Sequence, residues 1–291
     1  MADMTATTMA TYLPEVWSKL PTITYRTNTV LVDLLDHRWE PEIGVGMGDT
    51  VNIPGFTQND KANVTKRTTF GTGAGLTFNA NTELQTQLKV DHMVYDAYRM
   101  PAEMSAQRMA QYETLLMEGI GEAIAAYVDY DIASDDTNGL DAFTAIGTDN
   151  VDVTEAVIID GETNLNNYSA KLDGRVMVIS PATRGSIMQI ESLRNMLYDK
   201  SIGNLDGAKG AGYLGKVLTL DVYMSNNLEA GTSGKKNAIF QKEAIAFAAQ
   251  QNLKVVKGLN IADGLFSEVV GYMVYGFKLV KSTFGSELDG K

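Results

Sequence analysis

Apolar and polar residues alternate singly where this chain first shows a regular pattern: Val51 and Ile53 stand between polar neighbours until Pro54 and Gly55 break the run. That is the period-two signature of a half-buried strand. A second strand is expected from about Glu83 to Tyr95, with Leu84, Leu88, Val90 and Val94 on one parity and Glu83, Gln85, Gln87, Lys89 and Asp91 on the other. The stretch between them, about Phe56 to Asn81, has no helical period, a polar centre and the glycine cluster Gly71-Thr72-Gly73-Ala74-Gly75. It is far longer than an ordinary hairpin loop, and connections of that length are either disordered or functional.

After Pro101 the period changes. Met109, Tyr112, Leu116, Ile120, Ala123, Ile124 and Tyr127 recur at spacings of three and four, which predicts one amphipathic helix of roughly 25 residues or more. It forms despite Gly119 and Gly121, each costing about 1 kcal/mol relative to alanine. Residues 154 to 170 read as a second helix with Thr154 as N-cap, and Arg175-Val176-Met177-Val178-Ile179 as a buried strand. Ser180-Pro181 then reads as a cap with proline at the first helical position, opening a helix whose apolar face is Ile187, Ile190, Leu193 and Leu197. Residues 201 to 215 read as a glycine-rich loop and Val217 to Met224 as one strand. From Ala238 to Lys281 the pattern is mainly strand, and its last run, Val269 to Leu279, is apolar on both faces. Before all of this, residues 1 to 47 carry Pro14, Pro21 and Pro41 around one short apolar segment at Thr29 to Leu35, an arm with one short helix or strand.

Composition narrows the function classes. The 291 residues are 44% hydrophobic and 21% charged, the balance of a folded protein. A net charge of −12 argues against a protein that holds nucleic acid by neutralising phosphates. With no cysteine there are no disulfides and no thiolate metal sites. The N-terminus has neither the basic start nor the apolar run of a signal peptide, and no uncharged apolar stretch is long enough to span a membrane. Charge is unevenly placed. Residues 101 to 136 set Glu103, Glu113, Glu118, Glu122, Asp129, Asp131, Asp135 and Asp136 against Arg108 alone, while the loop tip at 58 to 68 sets Lys61, Lys66 and Arg67 against Asp60.

Three features of the sequence bear on enzyme chemistry. Gly210-Ala211-Gly212-Tyr213-Leu214-Gly215-Lys216-Val217 satisfies G-x-G-x-x-G and all but the last position of a phosphate loop. It lacks the hydroxyl for magnesium and is followed by a strand where a helix N-terminus is required. His37 and His92 are the only neutral-pH bases and sit apart from each other and from any serine elbow; His92 reads as a packed or interface residue. Asp129, Asp131, Asp135, Asp136 and Asp141 do not have calcium-loop spacing. The chain is therefore read as a non-enzyme without catalytic, cofactor-binding or metal-binding residues.

The ordered phrases "YLPEVWSKLPTITYRTNTVLVDLL", "LDGRVMVISPAT" followed by a helix, "GYLGKVLTLDVYMSNNL" and "GYMVYGFKLVKS" resemble the major capsid proteins of tailed bacteriophages, which have the Hong Kong 97 capsid fold. The resemblance covers nearly the whole chain. It implies an α+β fold with an N-terminal arm at 1–47, an extended β-hairpin loop at 48–98, a peripheral domain with a long spine helix at 99–149 and 236–291, and a mixed α/β axial domain at 150–235. It also implies a structural protein that self-assembles into hexamers and pentamers of an icosahedral virion shell around double-stranded DNA, put together in the host cytoplasm. The extended loop would lie across a neighbouring subunit, with Lys61, Lys66 and Arg67 against an acidic surface for which Glu113 and Glu118 are candidates. A separate scaffolding protein, a portal and a decoration protein are the further partners implied. Alternatives are an encapsulin-like nanocompartment shell, a ring-forming adaptor or tail protein, and a nucleotide-binding α/β enzyme.

Overall fold

The computed structural model describes residues 29–43, 48–56, 64, 83–101, 112–198, 212–231, 234–261 and 264–290, the side chains of 112–113 and 196–198 excepted. In chain order these form α1 (Leu31–Leu34), β1 (Thr50–Phe56), β2 (Glu83–Lys89), β3 (His92–Pro101), the long α2 (Tyr112–Ser134), β4 (Thr144–Gly147), α3 (Glu155–Asn167), β5 (Arg175–Ile179), α4 (Pro181–Gln189), α5 (Glu191–Tyr198), β6 (Tyr213–Val217), β7 (Leu220–Met224), β8 (Asn237–Gln241), β9 (Ile245–Asn260), β10 (Phe266–Leu279) and β11 (Gly285–Asp289). The architecture is α+β, with helices and sheets both well represented.

Three sheets result. β1 and β2 pair antiparallel from Thr50 opposite Lys89 to Phe56 opposite Glu83. A three-stranded antiparallel sheet runs in the order β3-β10-β9, and a six-stranded mixed sheet in the order β4-β11-β8-β5-β7-β6. β5 lies inside the larger sheet, parallel to β7 and antiparallel to β8, and all five of its residues are buried. Alternate side chains of such a strand must enter different cores. Val176 and Val178 pack into the core that contains α2, whereas Met177 and Ile179 join Ile158, Leu165, Ile187 and Leu193 from α3, α4 and α5. Arg175, fully buried at the start of β5, donates to the carbonyls of Ala170 (2.7 Å) and Lys171 (2.8 Å) and to the Asn166 side chain (2.8 Å). It thereby occupies acceptors just beyond the C-terminal end of α3.

α2 buries Ile120, Ile124, Val128 and Ile132, one residue per turn at a spacing of four, against one face of the three-stranded sheet. The sheet allows the approach because β10 has no side chain at Gly271. A Cβ there would lie 2.4 Å from Ile120 and 2.9 Å from Ile124. A second close approach lies at Gly276, where a Cβ would meet the Lys89 carbonyl oxygen at 2.1 Å and Val90 Cα at 2.8 Å. The end of the β1–β2 hairpin thus rests on β10 backbone to backbone. Ile53, Leu88 and Val90 fill in beside it against Ala246, Ala248 and Ile43.

Several expectations change. The strand read from Glu83 to Tyr95 is two strands: β2 ends at Lys89, Val90 and Asp91 form a joint, and β3 enters a different sheet. Its apolar parity is only half buried, since Leu84 is exposed while Leu88 and Val90 are not. The strand read from Val217 to Met224 is the end of a hairpin, turned at Leu218 with φ +52°, and Tyr213 to Gly215, read as loop, belong to β6. The helix after Ser180 breaks at Ile190 into α4 and α5. Ser180 does cap α4, its Oγ accepting from the Thr183 amide at 3.1 Å, whereas Thr154 sits at the N-cap of α3 without a side-chain bond. The six-stranded sheet takes β4, β8 and β11 together with β5, β6 and β7, so it draws on residues from both sides of position 150 and of position 235.

α1 is tied to α2 by one carboxylate. Asp129, wholly buried, accepts the amides of Val30 (2.7 Å), Leu31 (3.2 Å) and Val32 (3.4 Å), donors that a four-residue helix cannot satisfy itself. The Asn227 side chain adds a long contact at 3.5 Å. Burial pushes this carboxyl up to about 6, against the pull of those hydrogen bonds.

Two outcomes are expected. Gly276→Ala should lower stability by about 2 kcal/mol through overpacking, while Gly185→Ala, in α4 with open space around it, should raise it by roughly 0.5–1 kcal/mol; equal effects in chemical denaturation would contradict the packing described. Because Asp129 holds its proton more tightly folded than unfolded, its contribution is complete below the ordinary aspartate range and is lost as pH rises through about 6. Relative to Asp129→Asn, the wild type should therefore gain about 2 kcal/mol between about pH 7 and pH 4. Parallel stability curves would remove the assignment; Glu287, a second buried carboxyl raised by burial and by neighbouring Asp141, is common to both proteins and drops out of the difference.

Candidate intersubunit surface

The joint between β2 and β3 is the most chemically elaborate point near the hairpin. The Val90 amide donates to the Asp49 carbonyl (2.8 Å), holding the two hairpin strands at their base. Two residues on, His92 places Nδ1 at 2.8 Å from Asp131 Oδ2, and the Tyr275 hydroxyl donates to the same oxygen at 2.7 Å. The other ring nitrogen, Nε2, faces Asp91 Oδ1 at 3.5 Å. The imidazole packs edge-on against Phe277 and tilted against Tyr275, with ring centroids 5.1 Å and 5.5 Å away. The Asp131 hydrogen bond, ahead of opposing burial, raises the His92 pKa; burial is the largest influence on Asp131, yet its bonds from His92 and Tyr275 carry it downward. Burial, then the Asp131 bond, pushes the Tyr275 phenol far up, so it stays a proton donor. His92 is therefore a packed residue, as its parity suggested, but its partners lie 39 and 183 positions along the chain.

Beyond the joint, among the described residues, α2 covers one face of the three-stranded sheet. β3 is an edge strand of ten residues, paired with β10 on one side and with no strand among the described residues on the other. Its side chains are conspicuous: Tyr95 is 70% exposed, Met93 62% and Tyr98 50%. Edge strands that must stay solitary are commonly protected by lysine, proline or a bulge; here the first proline is Pro101 and no lysine occurs in the strand. Along this edge runs a groove of about 380 Å³ between Met93, Tyr95 and Asp96 of β3 and Ala123, Ile124 and Tyr127 of α2. On the face away from α2, Tyr95 stands opposite Tyr272 and Ala97 opposite Val270, which in turn stands opposite exposed Val256. An apolar surface of that kind on a strand edge marks an interaction site.

The sequence-predicted contact residues fall on and around this region unequally. Lys61, Lys66 and Arg67 lie outside the described residues, and Glu113 lies in α2 with its side chain outside them. Glu118 is exposed on α2, and Val64, described within the loop, is 76% exposed. The aspartates considered for calcium are separated by their partners: Asp129 binds α1, Asp131 binds His92 and Tyr275, Asp135 accepts the amides of Thr137 and Asn138, and Asp141 pairs with Lys236. Gly212, of the glycine motif, has φ +79° and accepts from the Met224 amide at 2.8 Å beside a β-hairpin, a context without a helix N-terminus. Sequence reading missed the open edge. Its one signal was an apolar residue on each parity at Met93, Val94 and Tyr95, where a half-buried strand should have alternated.

No protein-family model and no curated protein matches the chain by sequence. Its structure is similar to solved phage structures over almost its whole length. Against a chain of Mycobacterium phage Che8 the TM-score is 0.72 at 18% identity, covering 96% of this chain and 97% of that one. Against the capsid of a native GTA particle it is 0.70 at 11% identity, covering 99% of each, and against the capsid of cyanophage P-SCSP1u it is 0.65 at 15% identity, covering 97% and 94%. The chain has the fold of the major capsid proteins of tailed phages.

Proposed function

We propose that this chain is a structural shell protein, a major capsid protein whose copies form hexamers and pentamers closed into an icosahedral phage head around double-stranded DNA. The observation that carries the reading is the end-to-end match to capsid chains, with 96–99% of this chain covered in the Che8 and GTA comparisons. The surface adds a physical reason: a strand edge with exposed aromatics at Tyr95 and Tyr98 can gain hydrogen bonds and buried apolar area from another chain. The net charge of −12 suits a wall that does not adhere to DNA, because a shell that condensed its genome by charge would carry a basic surface. The loop between β1 and β2 reaches a neighbouring copy, where Lys61, Lys66 and Arg67 meet an acidic surface that includes Glu113 and Glu118. Exposed ion pairs contribute about 0–1 kcal/mol each and are screened by salt, so they set register more than strength.

Two experiments test this reading. Tyr95→Lys and Met93→Lys should change monomer stability by no more than about 0.5 kcal/mol yet raise the concentration required for assembly by about tenfold or more; assembly at the wild-type concentration, followed by light scattering, would count against the edge as a contact. Reversal of Lys61, Lys66 and Arg67 to glutamate should impair assembly most at low ionic strength, and unchanged assembly there would remove the ionic register.

A further inference from the structure

The hairpin and the three-stranded sheet are joined through Val90 and Asp91, and the geometry of the next residue bears on how firmly that joint is set. Each nitrogen of the His92 ring faces a carboxylate: Nδ1 faces Asp131 of α2 at 2.8 Å and Nε2 faces Asp91 of the joint at 3.5 Å. A neutral imidazole has a single N–H. It can donate to Asp131, but its remaining lone pair then points at the negative oxygen of Asp91. An imidazolium donates to Asp131 and is attracted to Asp91 as an ion pair. We infer that His92 is a protonation-dependent lock on the β1–β2 hairpin, tying the Val90–Asp91 joint to α2 through two carboxylates when charged and releasing the Asp91 side when neutral.

The surroundings support the inference without carrying it. From α2 comes Asp131 and, from just past its C-terminal end and further off, Asp135; from β10 come Tyr275, whose hydroxyl fixes the Asp131 oxygen, and Lys278, whose ammonium is held by Asn138 Oδ1 at 2.6 Å. From β2 comes Lys89, 3.6 Å from Asp91 Oδ2 and able to hold that carboxylate away from His92. Lys89, Asp91, His92 and Lys278 line one open polar cavity of about 640 Å³, so protons reach the ring from solvent. The Asp131 hydrogen bond raises the His92 pKa above its ordinary 6.5. With the folded value raised, the lock is complete below the ordinary imidazole range and is lost as pH rises through the raised value. Since the contacts all lie within one chain, the lock stands or falls independently of the shell reading.

The test is amide hydrogen exchange in residues 50–56 and 83–90 of the full-length chain, corrected for the intrinsic pH dependence of exchange, between about pH 5.5 and about pH 8. Wild-type protection of the hairpin base should fall several-fold across that interval, His92→Gln should show no such fall, and Asp91→Asn should show a smaller one. The lock is overturned if wild-type protection is flat, or if His92→Gln retains the wild-type fall. Should His92→Gln not fold, the His92 titration followed by NMR decides, with His37 the only other histidine. Asp91→Asn must then shift the midpoint downward, and an unchanged midpoint overturns the lock.

Discussion

The contact on which the half of the molecule around the three-stranded sheet depends is α2 lying against that sheet over Gly271. With hydrogen in place of a side chain, β10 lets Ile120 and Ile124 seat directly on the backbone, and the helix then spans the sheet from β3 toward β9. One helix covers one face. Among the described residues the opposite face is closed near the hairpin base, by Ile53, Leu88 and Val90, and Tyr95, Ala97 and Val256 on it are exposed. β3 is the edge strand of this sheet, and a groove opens between it and the helix. The same packing leaves the β3 side of the sheet exposed, which suits the proposed shell subunit, a body whose remaining stabilisation would come from its neighbours.

Two joints then fix α1 and the base of the β1–β2 hairpin against that body. Asp129 ties α1 to α2, so the place where the N-terminal segment enters is fixed relative to the helix by three backbone amides. Gly276 fixes the hairpin base by letting Lys89 and Val90 cross β10 at backbone distance. Both joints use groups on α2 or on the strand it covers.

Much of this was legible in the sequence because it rests on local period and local chemistry. The alternation at Val51 and Ile53, the four-residue spacing of Leu116, Ile120 and Ile124, the uniformly apolar run at Val176 to Ile179 and the Ser180-Pro181 cap each specify their element without reference to distant residues, whereas Tyr127, read with that helix face, is exposed and Val128 is buried in its place. What was illegible rests on residues far apart. That Val90 and Asp91 interrupt a strand follows from Gly276 and from the different sheets on either side, and neither can be read from residues 83 to 95. That Asp131 serves His92 and Asp129 serves α1, rather than a cation, follows from burial between elements 39 and about 98 positions apart. The turn at Leu218 was hidden because a leucine at positive φ gives none of the glycine or asparagine signal that marks such turns.

The central claim is that copies of this chain complete one another, and the most direct measurement is negative-stain electron microscopy of the purified wild-type protein, with sedimentation velocity on the same sample across a concentration series. The account predicts closed, round, uniformly sized particles appearing above a threshold concentration, built from rings of five and six. A single slow-sedimenting species at every concentration, with no rings and no shells in the images, would contradict it.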